Sequence, residues 1–223
     1  MALLRTKAVE GAVEKAVPPG AKTFPGAADC EELTAGLESS NATERRQAAR
    51  DLMRCPNAGA ALVSRLKREQ DLAVRAAILT ILIRLDDPAA TAELADCLRS
   101  EDVALRNEAI EALRELAVAG DRSGAVPPVL ACLLADPDPD VRIFAVNVME
   151  SVSHPDVERW LIEVIENDSQ VNVCAASLEL LCEIGTEAAV DPLVRVKTRF
   201  ASNAFIQFAA DLALKRIVES DSR

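Results

Sequence analysis

A short phrase returns along this chain at intervals of about thirty residues, and a period in that range constrains the fold more than any other feature of the sequence. It reads Asp71, Val74, Arg75, Ile78 and Leu82; then Asp102, Leu105, Arg106, Ala109 and Leu113; then Asp138, Val141, Arg142, Ala145 and Met149. Weaker copies flank these three: Arg46, Ala49 and Met53 before them, Val173, Cys174, Ser177 and Leu181 after, and finally Ala204, Phe205, Phe208 and Leu212. The anchor position falls at 46, 75, 106, 142, 174 and 205, which counts six units. Inside each unit the apolar residues recur three, four and seven apart, as on one face of a helix, and no run alternates like a strand.

Each unit therefore reads as two helices. Proline follows the same logic: Pro88, Pro127, Pro128, Pro155 and Pro192 stand near the start of the first helix of a unit, where a missing N–H costs nothing. The Val118–Gly124 stretch, in the longest interval, reads as an inserted loop. One helical pair cannot bury its own apolar face, whereas stacked pairs share a continuous core. The expected fold is all-α, an α-solenoid of about six two-helix repeats over residues 29–223, on the order of 60 Å long at ordinary helix spacings. Residues 1–28, with Pro18, Pro19, Gly20, Pro25 and Gly26, fall outside the period and read as an N-terminal tail, flexible or a short helix.

The phrase Asp-x-x-Val-Arg-x-x-Ala-x-x-x-Leu, clearest from Asp138 to Met149 and Asp102 to Leu113, resembles the HEAT repeat. Its short period is similar to the HEAT-like repeats of phycobilin lyases. That resemblance implies a hydrogen-bonded ladder made by the Asp and Arg of successive repeats, here Asp71, Arg75, Asp102, Arg106, Asp138 and Arg142, which ends where Gln170 and Cys174 replace the pair. It also implies that the second helix of each pair lines the concave side. Positions one, five and eight after the anchor then project into a groove, among them Asp51, Thr80, Ile83, Asn107, Glu111, Arg114, Ile143, Asn147, Glu150 and Glu179. Ile83 and Ile143 read equally as interface anchors or as residues buried by the curvature of the stack.

Composition narrows the chemistry. The chain of 223 residues holds 36 acidic and 25 basic side chains, a formal charge of -11, which disfavours binding to phosphate backbones. A single His, His154, cannot supply the repeated His-Glu pairs of the di-iron hydroxylases that share this architecture, so no metal and no cofactor are expected. The six Cys form no CxxC pair; they read as reduced apolar fillers without a disulfide framework, and the chain is expected to be soluble and cytoplasmic. Phe200, Phe205 and Phe208 gather half of the six aromatic residues in nine positions; a terminal cap whose rings close the core is the simpler reading and an exposed patch for a partner the other. The expected function is a non-catalytic protein-binding adaptor or scaffold whose acidic concave face meets a basic or mixed partner, with neither nucleic acid nor membrane involved. A bilin-lyase-like chromophore-handling protein is the alternative that the resemblance suggests.

Overall fold

The computed structural model describes residues 27–221, which form twelve α-helices and three short 3-10 turns, with no strand among the described residues. The first-row helices are α1 (Ala27–Gly36), α3 (Gly59–Leu66), α5 (Pro88–Asp96), α7 (Val126–Leu133), α9 (Val157–Asn167) and α11 (Val190–Arg199). The second-row helices are α2 (Ala42–Asp51), α4 (Leu72–Leu85), α6 (Val103–Val118), α8 (Pro139–Met149), α10 (Val171–Ile184) and α12 (Ala204–Asp221). Consecutive pairs make six units, and each second-row helix packs on the next, α2 on α4 through to α10 on α12. The tail expected at 1–28 lies outside the described residues, except that its last two residues open α1.

The recurring phrase maps onto one structural device. In the first four units the residue before the second-row helix caps it: Asn41, Asp71, Asp102 and Asp138 accept N–H groups of the first turn, worth about 1 kcal/mol apiece, whereas the side chain of Gln170 caps nothing. Seven and eleven residues beyond the cap the chain meets the core, at Ala48, Ile78, Ala109, Ala145 and Ser177 and at Leu52, Leu82, Leu113, Met149 and Leu181, all buried. Four beyond the cap stands an Arg whose Nη1 donates to the carbonyl six residues earlier: Arg45 to Ser39, Arg75 to Glu69, Arg106 to Ser100 and Arg142 to Asp136. That carbonyl belongs to a residue two before the cap, whose own side chain accepts the cap's N–H in every unit from Ser39 to Asp168.

Two expectations need correction. The first unit is anchored by Arg45, not Arg46, because Asn41 does the work of the capping Asp; Ala48 and Leu52 hold its repeat positions, with Ala49 also buried beside them, whereas Met53 is exposed. The ladder is also built differently. The capping Asp is occupied by its own helix, so Arg reaches the carboxylate two before the next cap: Arg45 to Glu69 at 2.7 and 2.8 Å, Arg142 to Asp168 at 2.7 and 3.0 Å. Ser100 holds the corresponding place in the third unit, and Arg75 turns to Glu108 at 2.7 Å, with Asp102 at 3.6 Å. Asp136 is taken by Arg99, and Arg106 instead lies over the Phe144 ring, 5.1 Å from its centroid. Nor does the device stop at Cys174: Arg199 of α11 supplies the missing guanidinium, donating to the Asp168 carbonyl at 2.8 Å and contacting Cys174 Sγ at 3.1 Å.

The cysteines are corrected as well. Cys30 of α1 and Cys55 after the 3-10 turn Leu52–Arg54 form a disulfide across 25 residues. It fastens the first helix to the end of the first unit. Gly59 starts α3 so close to α5 that a Cβ there would stand 2.5 Å from that of Ala90. The inserted loop is stapled back onto α4: Asp86, left-handed at φ 51, accepts Ser123 Oγ at 2.8 Å and Arg122 Nε at 3.3 Å. At the far end, Ile206, Ala209, Ala210, Ala213 and Ile217 of α12 close the core, while Phe205 and Phe208 face outward, 47% and 66% exposed. The aromatic cap is therefore an aliphatic one. Phe200 is half-buried against the core.

Candidate functional site

Counted from the caps, positions five, nine and twelve of the second-row helices share the face turned away from the first row. In units two to five they place Thr80, Asn107, Glu111, Asn147, Glu150 and Glu179 in solvent, with Arg114 and Ile143 half-buried. Ile83 is half-buried and packs against the core. Asp51 does not belong to this face. The one-residue register change puts it ten after its cap, beside Gln47, which donates to it at 2.9 Å; the matching residue in the second unit, Ile81, is buried. The residues on the face of the first unit are Arg46, Arg50 and Met53, which the Arg46 alignment missed. Reading Asn41 as a substitute for the capping Asp would have found them.

Two clefts open on this face. Between α2 and α4, Arg46, Arg50 and Arg84 surround a floor of Met53, Ala73, Ala76, Ala77 and Ile81 in a volume of about 570 Å³. Between α8 and α10, Asn147, Glu150, Glu179 and Glu183 border a floor of Val146, Ala176 and Leu180 in about 140 Å³. Arg114 stands between them and is committed internally, donating to the Asn147 carbonyl and to Glu150, both at 2.8 Å. Glu179 and Glu183, one turn apart on α10, have no cationic partner among the described residues. The face thus changes sign along its length, from arginines at one end to carboxylates at the other.

Nucleophile chemistry has little to work with among the described residues. Burial pushes the Cys174 and Cys97 thiols up, in Cys174 against the opposing pull of Arg199. His154 stacks on Trp160, ring centroids 5.2 Å apart and 7° from parallel, and its Nδ1 accepts the Asp156 N–H at 3.2 Å. That is a capping imidazole in a turn. A third cleft of about 460 Å³ lies beside Trp160, lined by Ala131, Leu134, Arg142 and Asp168, but Arg142 and Asp168 are bonded to each other there. No group of three or more His, Cys, Asp and Glu among the described residues is placed to hold a metal ion, and no described helix is long and apolar enough to cross a membrane.

Among solved structures, Drosophila melanogaster Mini spindles TOG3 is similar in fold, with 16% identity over 82% of this chain and 94% of that one and a TM-score of 0.54. An engineered protein matches with 21% identity over 86% of this chain and 97% of its own, TM-score 0.43. The complex of CpcE and CpcF of phycocyanin lyase from Nostoc sp. matches with 19% identity, 91% and 98% coverage, and a TM-score of 0.34. No curated protein matches the sequence. The family of HEAT repeats matches residues 30–114 and 126–215. With six capped helix pairs, a shared core and that match over most of its length, the chain belongs to the HEAT-repeat family.

Proposed function

We propose that the protein is a non-catalytic scaffold that holds a segment of a partner protein along the face of its second-row helices turned away from the first row. The observation that carries this reading is the α8–α10 cleft, where Glu179 and Glu183 lack cationic partners among the described residues and stand beside Asn147 and Glu150 over an apolar floor. Carboxylates left unpaired next to apolar side chains suit a Lys- or Arg-bearing segment that also brings an aliphatic residue, with charge setting encounter rate and register, and apolar contact setting residence. Rigidity supports the same reading: a face braced by the Arg-to-carbonyl bonds of the units is ordered before the partner arrives, so less entropy is lost on binding.

The test is fluorescence anisotropy with a labelled peptide of alternating Lys and Leu. E179K/E183K is expected to weaken binding by about tenfold or more, whereas E31K/E32K, the same charge change on exposed α1 residues, is expected to leave it within about twofold. Equal loss in both variants, or loss in neither, overturns the assignment.

A further inference from the structure

The α2–α4 end of the same face has the opposite character, and we infer that it is a docking site for an acidic peptide segment carrying an apolar side chain. The inference extends the scaffold reading to a second, separately testable position. It starts from a mismatch in pairing. Arg45, Arg65, Arg68, Arg75, Arg99, Arg114, Arg122, Arg142, Arg159 and Arg195 each have a carboxylate within 4.0 Å. In a chain with more acids than bases that is the ordinary fate of an arginine. Arg46, Arg50 and Arg84 make no side-chain hydrogen bond or ion pair among the described residues, yet all three border one cleft.

Arg46 and Arg50 are one turn apart on α2 and so share its face; Arg84 comes from the last turn of α4. Three guanidinium groups around one cavity repel one another, and a ligand bringing two or three carboxylates replaces that repulsion with attraction and with bidentate geometry that Arg favours. Beneath them Met53, Ala73, Ala76, Ala77 and Ile81 form a floor with no charged group. Exposed Met53 can repack around an aliphatic or aromatic side chain of the ligand.

The surroundings select a peptide over a polyphosphate. Residues 29–84 hold nine basic and eight acidic side chains, whereas residues 85–190 hold six and twenty-two. A nucleic acid long enough to use the arginines would continue along the face toward Glu111, Glu150, Glu179 and Glu183 and meet repulsion at each step. A polypeptide is free to change sign along its length. The two clefts lie about three helix spacings apart, on the order of 30 Å, which an extended segment of about nine residues spans. A partner acidic at one end and basic at the other is then held in a single orientation.

The experiment uses the full chain and a labelled peptide of Glu and Leu. Binding that weakens by about tenfold in R50A/R84A, with an unchanged urea unfolding curve, supports the site; both residues are exposed on helices, so Ala is compatible with folding there. The same peptide with Gln for Glu is expected to bind at least about tenfold more weakly. The inference fails if R50A/R84A binds the acidic peptide as the parent does, or if a single-stranded oligonucleotide displaces the peptide at lower concentration than the unlabelled peptide itself. Because E179K/E183K and the Lys-Leu peptide report on the other cleft, failure of either site is read independently.

Discussion

Replacing Glu69 by Gln removes one negative charge from the most heavily bonded carboxylate of the first two units. Its side chain is 1% exposed and accepts Arg45 Nε and Nη2 at 2.7 and 2.8 Å, Arg65 Nε at 2.9 Å, and the N–H groups of Gln70 and Asp71 at 2.9 Å. Burial alone would raise the carboxyl pKa, but the guanidinium groups and amides overcome it and hold the group at about 2, from 4.5. At about 1.36 kcal/mol per pKa unit, that difference corresponds to about 3 kcal/mol in favour of the folded, ionised form. The sign follows from linkage: a depressed carboxyl pKa stabilises the fold fully above the unfolded value near 4.5, and the contribution is lost as pH falls through the folded value near 2. E69Q is therefore expected to unfold with about 3 kcal/mol less stability near neutral pH, and the two proteins are expected to converge toward about pH 2. Urea unfolding across this range measures the difference. Amide hydrogen exchange localises it, since in a repeat stack the loss falls on the α2–α4 interface and frees the first unit before the rest. A deficit under about 1 kcal/mol at neutral pH, or one that stays constant down to acid, refutes the reasoning.

Reduction of the Cys30–Cys55 disulfide is expected to cost the first unit about 3.5 kcal/mol on the chain-entropy account of a loop this long, seen as faster exchange in α1 and α2 with little change beyond α6; uniform protection under thiol would contradict it. At the other end, F205S/F208S is expected to shift unfolding by less than about 1 kcal/mol because both rings face outward, whereas Ile206→Ala, which empties a fully buried site, is expected to cost about 2–4 kcal/mol. The reverse order would restore the aromatic cap.

The core was legible because burial imposes a period: Ile78, Ala109 and Ala145, or Leu82, Leu113 and Met149, recur at the spacing at which a helix turns back to its neighbour. The first unit was misread by one residue because Arg45 and Arg46 are adjacent and the discriminating cue, Asn41 in place of Asp, lies in a cap rather than in the apolar pattern. That single shift hid Arg46, Arg50 and Met53 and misplaced Asp51. The partners of the ladder arginines were not readable from the phrase, since Glu69 and Asp168 stand in the connecting turns, where sequence varies between Ser, Glu and Asp. Nothing in the separation of Cys30 and Cys55 distinguishes a bonded pair from two core fillers; only the approach of α1 to the turn after Leu52 does. The exposure of Phe205 and Phe208 depends on which face of α12 meets α10, and both faces carry apolar residues.

The place where Arg106 meets a ring instead of a carboxylate gives the stack uneven stiffness. A guanidinium bonded to two carboxylate oxygens resists sliding and rotation, as Arg45 on Glu69 and Arg142 on Asp168 do. The Arg106 guanidinium, held by its Nη1 on the Ser100 carbonyl, lies over the Phe144 face and attracts α8 without a hydrogen bond to it. At the opposite end of the same joint Arg114 is fixed to the Asn147 carbonyl and Glu150. Helices α6 and α8 are therefore hydrogen-bonded to each other at the Arg114 end and in ring contact at the Arg106 end, where Arg99 on Asp136 ties the two units instead. Polar ties therefore cross this joint at both ends, and they, rather than the ring contact, set the spacing between the arginine cleft and the carboxylate cleft.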